Sequence, residues 1–210
     1  MRLVQSLVIF NEIDHTYFFG DMQLSGITGI ISKYLFPDKY NNVPSYILEK
    51  ARLRGSEIHS QLEQYFLFDG KVPFGEIREE VIAYRELAEA EGLNQISAEY
   101  LISNIEEGIA TKIDSVLQVD EQTVDLLDYK TTYKVDTEYL SWQLSVNRHL
   151  FEIQNPGIRV RNLYGCHLKG NKAKLYQVEH IPEYAIQRLI MTNLLEGAVF
   201  NNPITNHQNL

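Results

Sequence analysis

Apolar and polar residues follow two rhythms along this chain, and the changes of rhythm outline its elements. Residues 3–10 and 15–24 are short, strand-like runs around a polar turn near Asn11–Asp14. Thr28–Leu35 predicts a short helix. Pro44 stands where a helix favours its first residue. From there "PSYILEKARLRGSEIHSQLEQYFLF" places apolar residues at 47, 51, 58, 62 and 65, close to helical spacing. Gly55 interrupts that helix at a cost in propensity, which points to close approach by another backbone or a ligand, or to simple packing. Asp69-Gly70 ends it. A second amphipathic helix is expected over 75–91, with Ile77, Val81, Tyr84, Leu87 and Ala88 on its apolar side.

The second half of the chain returns to strands. Residues 95–103, 108–119 and 123–131 predict three, and 137–153 a helix closed by Asn155-Pro156-Gly157. Strands at 158–168 and 173–179 flank Lys-Gly-Asn-Lys at 169–172, a strong hairpin signal. Pro182 opens a last helix, 182–199. Helices, three strands, a helix, two strands and a helix make an α/β or α+β domain with a central mixed sheet. We expect one domain over 1–210: strands and helices in 1–92, a core of about 93–180 and a helix at 181–200.

Composition narrows the class. Hydrophobic residues make up 44%, enough for a packed core rather than a disordered chain. No apolar run reaches the roughly 18 residues of a membrane helix. The N-terminal stretch lacks a small-residue cleavage pattern and is not read as a signal peptide. One cysteine, Cys166, excludes an intrachain disulfide, a cysteine zinc site and a four-cysteine iron–sulfur cluster, and a reducing cytoplasm is expected. The net charge of −9 argues against coating nucleic acid by bulk attraction. Any phosphate-binding surface is then local. Candidates are Lys33 and Lys39, the Arg52/Arg54 pair and the Lys169/Lys172/Lys174 cluster, each of which can equally be a solvated face.

The candidate chemistry lies in "LLDYKTTY", residues 126–133. Asp128 and Lys130 stand two apart in a strand and share a face. If "DEQ" at 120–122 is a three-residue loop, residue 119 opposes 123 and Asp114 opposes Asp128. Two carboxylates in that position repel. A bound cation offsets the repulsion, and carboxylate oxygens are the ligands Mg²⁺ prefers. A loop one residue longer would send the two acids to opposite faces. Glu99 in the neighbouring strand, His59 on the long helix and Gln143 on the helix after Lys130 are polar residues near the same place. Each also has a plain structural explanation: a strand acid, a boundary histidine, a helix polar residue. His149 and His180 read as surface residues.

The ordered set "RGSEIHSQLEQYF" at 54–66, Glu99, "GIATKIDSVL" at 108–117, "LLDYKTT" at 126–132 and "WQLSVN" at 142–147 resembles the PD-(D/E)XK nuclease superfamily, in its RecB-like and phage-exonuclease branch. The N-terminal "DHTYFFGDMQLSGITGII" resembles the opening of phage members. The resemblance covers roughly residues 10–170. Ala110 and Thr111 occupy the stretch where a Gly commonly precedes the motif Asp, and Asn147 stands where Tyr is usual.

The resemblance implies a restriction-endonuclease-like core. It implies that Asp114, Asp128, His59 and the backbone carbonyl of Tyr129 bind Mg²⁺ or Mn²⁺, one or two ions, with Glu99 on a second ion or its water. Lys130 would orient the attacking water, and Gln143 would position Lys130 or the DNA backbone. The implied activity is metal-dependent DNA hydrolysis, as an exonuclease of phage or bacterial recombination or repair. DNA is the expected partner, together with a single-strand annealing or other recombination protein, or further copies of the chain. Against this stand a catalytically silent nucleic-acid-binding or assembly module of the same fold, and a metal-dependent hydrolase of small phosphoesters.

Overall fold

The computed structural model describes residues 1–73 and 75–201, with side chains described up to residue 196. Among these, eight strands and five helices follow in order: β1 (Ile9–Asn11), β2 (Thr16–Phe19), β3 (Met22–Gly26), α1 (Ile27–Tyr34), α2 (Ser45–Leu67), α3 (Glu79–Glu91), β4 (Gln95–Asn104), β5 (Ile109–Gln118), β6 (Thr123–Lys130), α4 (Thr137–Gln154), β7 (Arg159–Lys169), β8 (Lys172–Val178) and α5 (Glu183–Asn201). No described helix is long and apolar enough to cross a membrane.

The strands form one mixed sheet, β1-β2-β3-β5-β6-β7-β8, with β4 paired to β5 off that path. The pairs β3–β5 and β6–β7 are parallel, and the remaining pairs antiparallel. A parallel pair needs a long crossover, and α4 supplies it between β6 and β7. The strand side chains alternate between two cores. Leu127, Tyr129, Cys166 and Leu168 pack with Ile58 and Leu62 of α2 and Val81 and Tyr84 of α3. Leu126 and Leu163 pack on the other face with Leu140, Leu144 and Leu150 of α4 and Ile186 and Ile190 of α5. Helices therefore cover both faces of the central strands, as the pattern predicts for a mixed α/β fold.

The β5–β6 register is the expected one. Ser115 opposes Leu127, and Gln118 opposes Val124. Beyond Ser115 the two strands part. On its other edge β5 holds β4 from Ile109 to Leu117. The edge facing β6 is divided, because β3 occupies it beside Ile109 and Ala110. Residues 111–114 lie between these two partners with no strand beside them on that edge. The sheet forks there.

Three elements differ from the pattern. Residues 3–8 form no strand, and 15–24 is a hairpin rather than one strand. Gly20, with φ of 57°, turns the chain so that Phe19 pairs with Met22. The expected helix at 75–91 starts at Glu79, and Ile77 is 47% exposed instead of lying on an apolar side. The Gln61 side chain explains the late start. It donates to the Glu76 carbonyl at 3.0 Å and accepts from the Arg78 N–H at 2.9 Å, which holds this stretch extended. Gly92, left-handed at φ 63°, ends the helix. Asp136 caps the start of α4 by accepting from the Tyr139 N–H at 3.0 Å. Cys166 is buried and forms no disulfide.

Candidate functional site

At the fork, groups that would otherwise form a ladder are satisfied by side chains. The Tyr129 N–H donates to Asp114 Oδ2 at 2.7 Å, where a backbone carbonyl would be expected in a continuous ladder. The Tyr129 ring turns into the core and meets Tyr84 edge-on at 4.9 Å, while its carbonyl turns toward α2. There His59 Nε2 lies 3.2 Å from the Tyr129 oxygen. The other ring nitrogen, Nδ1, lies 3.5 Å from Asp114 Oδ2 and 3.9 Å from Glu99 Oε1. Glu99 has φ of 45°, a left-handed conformation that costs a non-glycine residue of order 1–3 kcal/mol. Ligand-type atoms of His59, Glu99 and Asp114 all fall within 4.8 Å of one another. Lys112 approaches Glu99 from outside, 3.5 Å from its Oε2.

Asp128 belongs to a neighbouring group. Its Oδ2 is 2.6 Å from Lys130 Nζ, and its Oδ1 accepts from Gln143 Nε2 at 2.7 Å. Lys130 in turn donates to Gln143 Oε1 at 3.0 Å. Three side chains therefore close a ring, with Asp128 only 3% exposed at its base. Asp114 and Asp128 continue one register but end in different groups. The expected face-to-face carboxylate pair is replaced by two adjoining clusters. The parting of β5 from β6 lets Asp114 bond the Tyr129 N–H, so the two acids are not laddered partners.

The electrostatics of the fork favour a cation. Burial pushes the Asp114 carboxyl up, and the nearby charges of Asp128 and Glu99 push it further, to about 7, against His59 and Lys130. Burial works against the charged form of His59, but Asp114, Glu99 and Asp128 outweigh it and raise its pKa to about 9. Glu99 resists burial and is held low by His59 and Lys112. Burial opposes the charge on Lys130, yet Asp128 and Asp114 raise its pKa. Two carboxylates, an imidazole and a free carbonyl lone pair are oxygen and nitrogen donors of the kind that hold Mg²⁺ or Mn²⁺. Without one, a proton on His59 balances part of the negative charge.

His59, Glu99 and Asp114 line a cleft of about 510 Å³ bounded also by Phe10, His15, Arg52 and Lys112. Gly55 lies at its floor. A Cβ there would come 3.2 Å from Thr131 Oγ1, so the glycine lets α2 pack against the end of the Lys130 strand. Arg54 reinforces that contact by donating to the Thr131 carbonyl at 3.0 Å. The seven residues expected at a metal and catalytic site lie at the fork: His59, Glu99, Asp114, Asp128, Tyr129, Lys130 and Gln143. Sequence reasoning missed Lys112, and read Arg54 only as a candidate phosphate-binding cation, not as a brace for the Thr131 carbonyl. Each lies inside a quoted motif, but nothing in the local pattern distinguishes it from a solvated cation.

One polar residue differs from its reading. His149 is buried rather than on the surface. Its Nε2 is 3.0 Å from Glu107 Oε1 and its Nδ1 2.5 Å from Glu183 Oε1. It therefore ties the β4–β5 turn to the start of α5, remote from the fork in sequence and partners. Asn147, in the position where Tyr is usual, is buried on α4 with its Oδ1 unpartnered among the described residues.

No family model matches the chain, and no curated protein matches it. Solved structures resemble its backbone. An alkaline exonuclease from Laribacter hongkongensis is 9% identical, with a TM-score of 0.48 over 84% of this chain and 89% of that one. A candidate exonuclease from Eubacterium rectale is 12% identical, with a TM-score of 0.46 over 84% and 80%. The protein SSO0001 is 12% identical, with a TM-score of 0.42 over 82% and 75%. Two of the three are exonucleases by name, the class that the motif order resembles. At this identity and TM-score the likeness carries neither their activity nor their substrates to this chain.

Proposed function

We propose that this chain is a single-domain, divalent-metal-dependent DNA nuclease of the PD-(D/E)XK type, acting as an exonuclease. The observation that carries the reading is the meeting, at one fork in the sheet, of the His59/Glu99/Asp114 donor group with the Asp128–Lys130–Gln143 ring. A carboxylate-rich binding surface for an anionic polymer has no use for this arrangement unless cations are held in it. His59, Asp114, Asp128, Glu99 and the Tyr129 carbonyl would hold one or two Mg²⁺ or Mn²⁺ ions. Such ions lower the pKa of bound water and neutralise charge developing on a phosphate.

The chain's own groups do the rest. Lys130 donates a hydrogen bond toward the attacking water or the phosphate oxygens. Gln143 and Asp128 hold its ammonium in place, so the donor is oriented before substrate arrives. Water adds to phosphorus, one P–O ester bond breaks, and the leaving oxygen takes up a proton. The exonuclease assignment, a role in phage or bacterial recombination or repair, and a partner such as a single-strand annealing protein or further copies of the chain rest on the motif order alone. Location in the cytoplasm rests on the single cysteine.

The test is incubation of the purified protein with linear and with closed-circular DNA in Mg²⁺, Mn²⁺ or EDTA. Metal-dependent loss of the linear form only, abolished in Asp128→Ala and Lys130→Ala, is the expected result. Cleavage of the circle would make the protein an endonuclease with the same site. No cleavage, and no effect of either metal on the melting temperature, would overturn the reading.

A further inference from the structure

The sheet face that carries Asp128 and Lys130 continues past them onto β7 and β8. Lys130 pairs with His167, and His167 pairs with Lys174. The next level outward pairs Lys169 with Lys172. Paired strand residues share a face, so Lys130, His167, Lys174, Lys169 and Lys172 form one cationic strip leading away from the fork. In an overall acidic protein this is a local reversal of sign. Among the described residues, Lys169, Lys172 and Lys174 make no salt bridge.

Helix α4 covers the inner part of this face and meets the strip at Lys130, through Gln143. A Cβ at Gly165 would lie 2.3 Å from Leu140 Cδ2, so the helix sits directly on that glycine, level with Asp128. Beyond it the strip is open and carries aromatic rings. Lys169 Nζ lies 4.1 Å from the centre of the Tyr133 ring, and Tyr133 is 87% exposed. Lys174 Nζ lies 4.7 Å from the centre of the Tyr176 ring.

Both banks of the strip are anchored to one buried acid. Glu80 Oε1 accepts the Gly170 N–H at 3.2 Å, at the tip of the β7–β8 hairpin. The same carboxylate pairs with Arg54, whose guanidinium also holds the Thr131 carbonyl at 3.0 Å. His167 Nε2 lies 2.7 Å from the Thr132 carbonyl, which ties the Tyr133 segment across the strand. The spacing between the Tyr133 segment and the hairpin is thus fixed from below.

We propose that this strip binds a single strand of DNA next to the catalytic lysine, with phosphates on Lys169 and Lys174 and a base stacked on Tyr133. Lysines alone would suit a duplex backbone equally well. The exposed Tyr133 ring and the half-buried Tyr176 ring beside them favour unpaired bases, because cations interleaved with stacking rings are how single strands are held without sequence preference. The strip rests on the nuclease reading only for its neighbour, Lys130, and binding can be measured without cleavage.

The experiment is fluorescence anisotropy of a labelled single-stranded oligonucleotide and of its duplex, in EDTA, at several salt concentrations. Wild type is compared with Tyr133→Ala and with the double variant Lys169→Ala/Lys174→Ala, each checked by its melting curve. Wild type should prefer the single strand. Tyr133→Ala should weaken single-strand binding by about tenfold. The lysine variant should weaken it and flatten the logarithmic salt slope by roughly 0.7 for each phosphate that is no longer neutralised. Equal single-strand affinity in all three proteins, preference for duplex, or no binding by wild type would each overturn the strip. Metal-dependent cleavage by wild type, abolished in Asp128→Ala, separately decides the nuclease reading, so the two can fail independently.

Discussion

The β5–β6 hairpin has two halves built on opposite plans. Near the turn, residues 115–118 and 124–127 pair fully, and Val116, Val124, Leu126 and Leu127 are wholly buried. Immediately beyond Ser115 and Leu127 the strands part, and Asp114, Asp128 and Lys130 occupy the opening. The paired half takes its stability from apolar burial and backbone hydrogen bonds. The open half leaves backbone groups to be satisfied by side chains and gathers charges that repel one another. The contrast shows how a stable fold makes room for a reactive site: pairing is halted at one end of a hairpin whose other end holds the register.

Substitutions can sharpen that contrast. In the open half, Lys130→Ala or Asp128→Ala should lower DNA hydrolysis by on the order of 10²–10³-fold, the usual cost of removing a preorganised donor or its support. The melting curve should change little by comparison. In the paired half, Leu126→Ala should do the reverse. It removes about 2–5 kcal/mol of stability, read as a lower melting temperature, while turnover per folded molecule well below that temperature stays near wild type. A large loss of turnover at unchanged stability in Leu126→Ala would break the division between the halves.

Gly165→Ala tests the junction between core and site. The new Cβ would collide with Leu140, and overpacking of this kind costs about 1–3 kcal/mol. Because α4 also carries Gln143, turnover should fall together with the melting temperature, a mixed signature that neither half gives alone.

The smallest effect concerns pH. Metal binding needs Asp114 ionised and His59 neutral, whereas both hold their protons to higher pH than usual, to about 7 and about 9. Calorimetric affinity for Mn²⁺ should therefore rise with pH across this range, with protons released on binding. The metal-free protein has the opposite trend in its histidine contribution. A His59 pKa raised above the unfolded value stabilises the fold below about 6.5, and that contribution fades as pH rises toward about 9. Affinity for Mn²⁺ that does not change between pH 6.5 and 8.5 would sink the assignment of these two residues as ligands.

Much of this was legible because it is local. The Asp-x-Lys spacing, the hairpin register and the Lys-Gly-Asn-Lys turn follow from strand alternation and turn chemistry within a few residues. The Gly20-Asp21 turn carried the same kind of signal, but lay inside an apolar run that reads as one strand. The fork was not legible, since it depends on β3 pairing with Ile109 and Ala110 across three intervening helices. Its effects were equally hidden: the left-handed Glu99, and the division of the acids into two groups. His149 looked exposed because periodicity on α4 does not reveal that α5 and the β4–β5 turn close over it.

The position of β3 also bears on the order of folding. Its parallel pairing with β5, including the 2.8 Å bond from the Ser25 N–H to the Gly108 carbonyl, joins segments separated by α1, α2 and α3. Closing so long a loop is slow relative to forming the β5–β6 turn. The hairpin is therefore expected to zip first and the second prong of the fork to dock later. Pulsed hydrogen exchange should protect the Leu117 amide before that of Ser25, so that a newly made chain acquires its scaffold before its reactive cleft.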